Sequence, residues 1–394
     1  MSDHNVAHNI KMGRAARRWT QPRFASLIDF SVSTVRKVEQ GVMPPSPGFI
    51  AKAAKVLEVF PEQLQGIPFL DTINQDGPLV GMVDLRAILA EGNYVRAEEP
   101  DPLPQMVAEL DHVKTLYRND RGRQALAALP QLIRKFYGAL RDASTDTGRG
   151  RIFSHLAACF VTAECLCRRF GFMHLAAPAL DRLEWAAEQA DDPLYAAKAK
   201  FQRCRILMYL DSIDIGLALA EQGVDLVAGD DEPALAVRGY GHLCGAIAAA
   251  RGRRPDVARD HITEARELAT RVAGESDAYG TLFGAANVEI HACAVELEAG
   301  DPGKAALRGM ALTLPPTIAP PRAGHHWQDT ARAFLLVGNP AKALESLGRA
   351  RQAAPQQTRL HPGVRETLRG IAVAERRATD SLANFAGWVG VRSL

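Results

Sequence analysis

Residues 20–41 read TQPRFASLIDFSVSTVRKVEQG, and two short helices are legible in them. Thr20 is suited to cap a helix, and Pro22 sits where a first turn tolerates a missing N–H. Phe24, Leu27 and Ile28 then share one face at helical spacing. After Asp29-Phe30 the chain restarts: Ser31 can cap a helix running from Val32 to Gln40. On that helix Val35 and Val38 point inward, while Ser33, Arg36 and Lys37 point out. Gly41 can end it through a positive φ, and Pro44-Pro45 forbids its continuation.

The flanks complete a compact unit of five short helices over residues 1–66. A preceding helix is expected from about His8 to Arg18, a following one from Ser46-Pro47 to about Leu57, and a last turn at Pro61-Glu62-Gln63-Leu64. Thr20-Gln21, Phe24-Ala25, Ile28, Ser31 to Val35, Val38 to Gly41, Pro44-Pro45-Ser46 and Leu57 together resemble the Xre, phage-repressor-like helix-turn-helix family. That resemblance implies a partner, double-stranded DNA, with the third helix in the major groove. Val32, Ser33, Arg36 and Lys37 then occupy the reading positions, and Ser31 beside them is a further DNA-binding candidate. Arg36 and Lys37 suit guanine O6 and N7, and Val32 suits a thymine methyl.

By the same resemblance Gln21 binds phosphate at a helix N-terminus, where free N–H groups and the helix dipole favour an anion. Arg23 and the Arg17-Arg18 pair are looser phosphate candidates. Arg14 and Glu39 match a pair that bridges the first and third helices in this family, so a structural salt bridge is expected. Two positions depart from the family pattern. Asp29 stands where glycine is usual and a positive φ is needed, and Gly13 stands where a leucine usually enters the core.

The whole chain has 394 residues, 47% of them apolar, enough for about two or three domains with a substantial core. Its net charge of +2 excludes a polycationic nucleic-acid coat. The charge is uneven, however. Residues 1–66 hold nine basic and five acidic side chains, and the remainder carries a slight negative excess. A basic head on a weakly acidic body suits a phosphate-binding module joined to something that does not touch nucleic acid. No stretch approaches 18 unbroken apolar residues, and Met1 to Lys11 lacks the apolar run of a secretory signal, so a cytoplasmic protein without a membrane partner is expected. The six cysteines lie in Ala/Leu-rich helical context and are expected as buried thiols. Neither Cys165-x-Cys167 nor His325-His326 with Asp329 has metal-ligand spacing, and no cofactor is expected.

Residues 67–103 are rich in glycine and proline around one apolar helix, Val80 to Ala90, and read as a linker. From residue 104 to 394 apolar residues recur at three and four, and no strand is expected. Trp327, Ala331, Phe334, Gly338, Ala343, Leu347, Ala350 and Pro355 carry the pattern of a tetratricopeptide repeat. Helix pairs are expected near 104–142, 150–190, 194–228, 234–273, 281–312 and 322–354, with 361–388 as a cap. The fold class is therefore all-α, a five-helix head followed by a solenoid of tetratricopeptide-like pairs. This body resembles those of bacterial regulators that couple the same head to a sensor, including quorum-sensing peptide receptors. Asn287 and His291 fall four apart on one predicted first-of-pair helix, as do Arg238 and His242 on the one before, and are candidate ligand contacts on the concave side.

No phosphate loop, HExxH, nucleophile elbow or zinc pattern is present, so no enzymatic activity is expected. The expectation is a homodimeric transcription regulator on a near-palindromic operator, controlled by a peptide or small-molecule effector in the repeat domain. The alternative is a scaffold whose body docks a partner protein, with weakly specific DNA binding. If Lys37 reads a base, Lys37→Ala should cost about 1 to 3 kcal/mol on the preferred site alone, whereas equal weakening on random DNA in a gel shift would assign it to phosphate.

Overall fold

The computed structural model describes residues 5–375 and 380–391. The head is built from α1 (Val6–Ala16), α2 (Gln21–Leu27), α3 (Val32–Glu39), α4 (Pro47–Val56) and α5 (Pro61–Gln65). Its starts lie where the capping residues place them. Thr20, Ser31 and Ser46 accept hydrogen bonds from the backbone N–H groups of Arg23, Thr34 and Phe49. The first helix ends sooner than expected, because Arg18 takes φ 53° and turns the chain toward α2. Ile10, Phe24, Ile28, Val35, Val38, Phe49 and Leu57 form a core of the head's own. Gly13 belongs to that packing: a Cβ there would lie 3.1 Å from Leu57, whose side chain fills the space a larger residue would take.

The stretch read as a linker is instead built into the body. It holds α6 (Leu70–Gln75) and α7 (Met82–Glu91), and Ile73, Met82, Leu85, Ile88 and Leu89 share one core with the helices that follow. A one-sided apolar helix has to be covered, and here the first and second helix pairs cover α7.

Six antiparallel pairs come next, matching the expected intervals. They are α8 (Leu103–Arg118) with α9 (Gly122–Asp142), α10 (Asp146–Arg169) with α11 (Met173–Ala187), and α12 (Leu194–Tyr209) with α13 (Ile213–Leu226). Then follow α14 (Glu232–Arg251) with α15 (Pro255–Ala269), α16 (Ala285–Glu298) with α17 (Pro302–Ala311), and α18 (Pro320–Leu336) with α19 (Pro340–Ala353). Short α20 (Pro355–Leu360), α21 (Pro362–Ala374) and α22 (Asp380–Val389) cover the end. In the sixth pair Ala331, Ala343, Leu347 and Ala350 are wholly buried, as the repeat pattern requires. The first helices of the later pairs, α12, α14, α16 and α18, pack directly on one another and form the inner wall.

Two details depart from the sequence reading. A strand pair exists after all: β1 (Glu275–Ser276) and β2 (Phe283–Gly284) are antiparallel in the α15–α16 connection. It is too short to show as alternation, and its purpose is packing, since Phe283 is fully buried against Gly239 of α14. Helix α10 also has the length and composition of a membrane span, yet 83% of its most apolar window is buried inside the protein. It is a core helix of the second pair.

The body closes on itself. Asp120, in the first turn between paired helices, accepts from the backbone N–H groups of Gln356 (2.7 Å) and Gln357 (3.1 Å). Arg359 meets Asp76 at 3.0 Å, and Arg365 donates to Thr72 Oγ1 at 2.7 Å. Two glycine substitutions test the packing. A Cβ at Gly239 would stand 2.1 Å from the Phe283 ring, so Gly239→Ala should cost about 1–3 kcal/mol in urea unfolding. Gly348, within α19, faces open space, so Gly348→Ala should gain up to about 1 kcal/mol by helix propensity.

Candidate nucleic-acid interface

The outer face of α3 is free. Ser33, Arg36 and Lys37 are exposed, Val32 is half-buried at the edge of the core, and Ser31 is exposed at the N-cap. Among the described residues neither Arg36 nor Lys37 makes an ion pair or side-chain hydrogen bond. Arg23 is exposed on α2 with its guanidinium 5.6 Å from the Trp19 ring. Arg17 is turned to the protein instead, donating to the Leu57 carbonyl, and Arg18 stays exposed.

Behind this face lies the expected ion pair. Arg14 Nε donates to Glu39 Oε1 at 2.6 Å and Arg14 Nη2 to Oε2 at 2.8 Å, a two-point fork that ties α1 to α3. Arg14 also donates to the Trp19 carbonyl at 2.6 Å, and Gln21 Nε2 donates to Glu39 Oε2 at 2.9 Å. Gln21 thus stands at the N-terminus of α2, as expected, but here its amide belongs to the Glu39 network. Burial opposes ionisation of Glu39, yet the hydrogen bonds from Arg14 and Gln21 outweigh it and hold its pKa below the ordinary carboxylate range.

The body grips the head on either side of α3. Asp29 takes the expected left-handed conformation, φ 55°, and its carboxylate meets Arg253 at 2.8 Å and Lys52 at 3.4 Å. Arg253, from the turn between α14 and α15, also donates to the Asp29 carbonyl and lies 5.0 Å from the Phe30 ring. An aspartate at this turn therefore does what a glycine cannot. Lys55 meets Asp211 at 3.5 Å, and α4 rests on α12. Beyond α3, Pro44 lies against α21 at Gly370, and Lys11, Gln40, Met43, Glu366, Arg369 and Val373 line a cleft of about 360 Å³ between head and body. The Asp29 and Arg253 side chains are 71% and 54% exposed, so their pairing contributes only about 0–1 kcal/mol. The apolar core of the head contains none of the body's residues, so the two parts meet through these charged contacts and the packing of α4 on α12 and of Pro44 on α21.

Residues 10–64 match the helix-turn-helix family model. This segment is a helix-turn-helix domain. No curated protein matches the chain in sequence. Solved structures resemble it at low identity. One is Bacillus thuringiensis PlcR in complex with the peptide PapR7 and DNA, 12% identical over 89% of this chain and 94% of that one, TM-score 0.34. Another is BtubC from P. vanneervenii, 14% identical over 75% and 96%, TM-score 0.36. A third is the TPR domain of P58(IPK), 14% identical over 94% and 99%, TM-score 0.26. In the helix-turn-helix domain α2 and α3 are the paired helices, and α3 is the one that presents an open polar face.

The four candidate ligand contacts of the body fare differently. Arg238 donates to the carbonyls of Val227 and Gly229, both at 2.8 Å, and so braces the loop before α14. His242 Nδ1 lies 3.0 Å from His261 Nδ1 on α15. Both turn away from the inner wall, because the inward face of α14 is set by Tyr240 and Cys244, two positions out of step. Asn287 is fully buried and bonded to the Leu282 carbonyl. His291 is half-buried with its Nδ1 2.8 Å from the Asn287 carbonyl, and burial, then Arg322, lower its pKa to about 3. Sequence reading missed Arg253 and Asp211, which act only through contacts more than 150 residues away, and no local pattern marks them.

Glu39→Gln should destabilise the helix-turn-helix domain by about 2 kcal/mol at neutral pH by weakening a charged hydrogen-bond network. Because the folded pKa of Glu39 is depressed, its contribution is present above the unfolded value and is lost as pH falls through the folded one. The difference between wild type and variant in chemical unfolding should therefore shrink as the pH is lowered through the acid range below 4.5.

Proposed function

We propose that the protein is a sequence-specific DNA-binding transcription regulator, not an enzyme, that acts as a homodimer on a near-palindromic operator under control of an effector bound in the solenoid. The observation that carries this reading is the open face of α3, with Arg36 and Lys37 unpaired on the outside of a helix whose inner face is fully packed. A positively charged helix of this length fits the major groove, and its N-terminal residues meet base edges. One such helix covers only about four to six base pairs, too few for selectivity, so two copies on half-sites about 34 Å apart, or a multiple, are required. The docking of the head supports effector control. Its charged contacts are individually weak, so a small change in the body can move the reader without unfolding it.

Selection from a random duplex library followed by fluorescence anisotropy tests the reading. A symmetric consensus bound at two chains per duplex is expected, with Arg36→Ala losing roughly tenfold or more on that consensus. Equal affinity of the wild type for the consensus and for shuffled DNA at physiological salt removes it.

A further inference from the structure

The strand pair in the α15–α16 connection sets Glu275 opposite Gly284, so the residues between them are not needed to span the gap. Its base is firmly built. Glu275 accepts from the backbone N–H of Ala286, at the start of α16, at 2.9 Å. Phe283 is fully buried against Gly239, and Thr281, also fully buried, donates to the Ala278 carbonyl at 2.7 Å.

The tip, residues 277–280, makes its contacts elsewhere. Asp277 meets Arg118 at the end of α8 at 3.7 Å, so a connection between the fourth and fifth pairs touches the first. The Tyr279 hydroxyl donates to Asp192 in the turn between the second and third pairs, and its ring packs edge-on against Tyr195 of α12, centroids 4.9 Å apart. The Gly280 carbonyl accepts from Lys198 Nζ at 3.4 Å. Lys198 is 1% exposed and lies 3.8 Å from the ring of Tyr240, on the inward face of α14. The tip therefore crosses the inner side of the solenoid.

Each of these contacts is of a kind that a separate peptide can make: carboxylate to guanidinium, carbonyl to ammonium, phenol to carboxylate, ring to ring. The tip is also the looser part of the connection. Asp277, Ala278 and Tyr279 are half-buried and Gly280 is exposed, whereas Ser276, Thr281 and Phe283 are buried. Tyr279 and Leu282 take left-handed φ of 55° and 50°, a region that side chains disfavour and that surrounding contacts must maintain. On the receiving side Lys198 has no ion pair among the described residues, and burial lowers its pKa to about 8. It needs an acceptor. The neighbouring charges Glu164, Arg168 and Arg205 are bound to one another, to Gln202 and to the Tyr240 hydroxyl, and make no hydrogen bond to the tip.

We propose that residues 277–280 are a built-in occupant of a peptide-recognition groove, and that its exchangeable ligand is a peptide with an acidic residue followed, two positions on, by a tyrosine. Arg118 reads the carboxylate, Asp192 and Tyr195 read the phenol, and Lys198 takes the next backbone carbonyl. An arriving peptide replaces each contact in kind, so the strap leaves without stranding a buried ammonium. The proposal rests on reading the body as the effector-binding half, and names the effector's chemical class and the segment it displaces.

Fluorescence anisotropy with a labelled synthetic peptide of residues 275–283 tests it on the full chain. Tyr279→Gly removes the ring while suiting the left-handed backbone, and Asp277→Asn removes the charge. Each variant should bind the peptide about tenfold more tightly than wild type, the worth of one hydrogen bond to a charged group. Adding Arg118→Gln to Tyr279→Gly should cancel the gain, and a peptide carrying Asp277→Asn and Tyr279→Phe should bind about tenfold more weakly. In wild type, amide exchange at residues 277–280 should quicken when unlabelled peptide saturates the chain, while the amides of α12 and α14 keep their rates. Absence of binding, equal binding of the altered peptide, no gain in either single variant, a gain kept in the double variant, or unchanged exchange at the tip under saturation each overturns the proposal, and the last needs no variant to fold. Operator binding measured in parallel separates the two readings. Displacement of the tip without any effect on DNA affinity leaves the groove standing and removes effector control, whereas selective DNA binding with no peptide bound removes the groove alone.

Discussion

Each helix pair of the body has apolar surface on both sides, and only a neighbouring pair can cover it. This constraint organises the rest of the molecule. It draws α6 and α7 out of a glycine- and proline-rich stretch and onto the first two pairs, where Leu85 and Ile88 are fully buried. It places a cap of three short helices after the sixth pair, with Leu368 and Ile371 of α21 equally buried. Where cap and start meet, the contact is polar: Asp120 receives two backbone N–H groups from α20, and Arg359 reaches Asp76. Stacking supplies the energy, and hydrogen bonds choose where the run closes.

Closure has two consequences that no single repeat contains. It ties α9 to α20, with the Arg123 backbone N–H donating to Gln356 Oε1 at 3.1 Å. It also presents the turns after α12 and α14, together with α21, to the head. The head keeps its own core and needs the seat only for position. Within it, the Arg14–Glu39 fork fixes α3 from behind, leaving the outer side of the helix without internal obligations.

Much of the head was legible in sequence because its rules are local. A capping hydroxyl, a proline in the first turn and an apolar residue every three or four positions act within one or two turns, so Thr20, Ser31 and Ser46 announce their helices directly. The exception is the end of α1, two residues early, because Arg18 adopts a left-handed conformation that its residue type does not signal. Asp29 shows the opposite case. Its conformation is evident from the turn, but its contact with Arg253 is not. The repeats were readable for the same local reason, their spacing of small and large residues surviving best in α18 and α19.

Sequence by itself determined the element order, the repeat unit and the outward residues of α3, since periodicity states which face of a helix is buried without knowing what buries it. Tertiary structure alone decided the covering partner of each face. Arg238 and His242 shared a helical face, but only the packed neighbours show that this face meets α13 and α15 rather than the inner wall. Asp29 and Arg253 lie over two hundred residues apart and carry no common motif, so their meeting depends on the number of pairs and the turn between successive ones. Those quantities accumulate along the whole solenoid, and a local pattern cannot hold them.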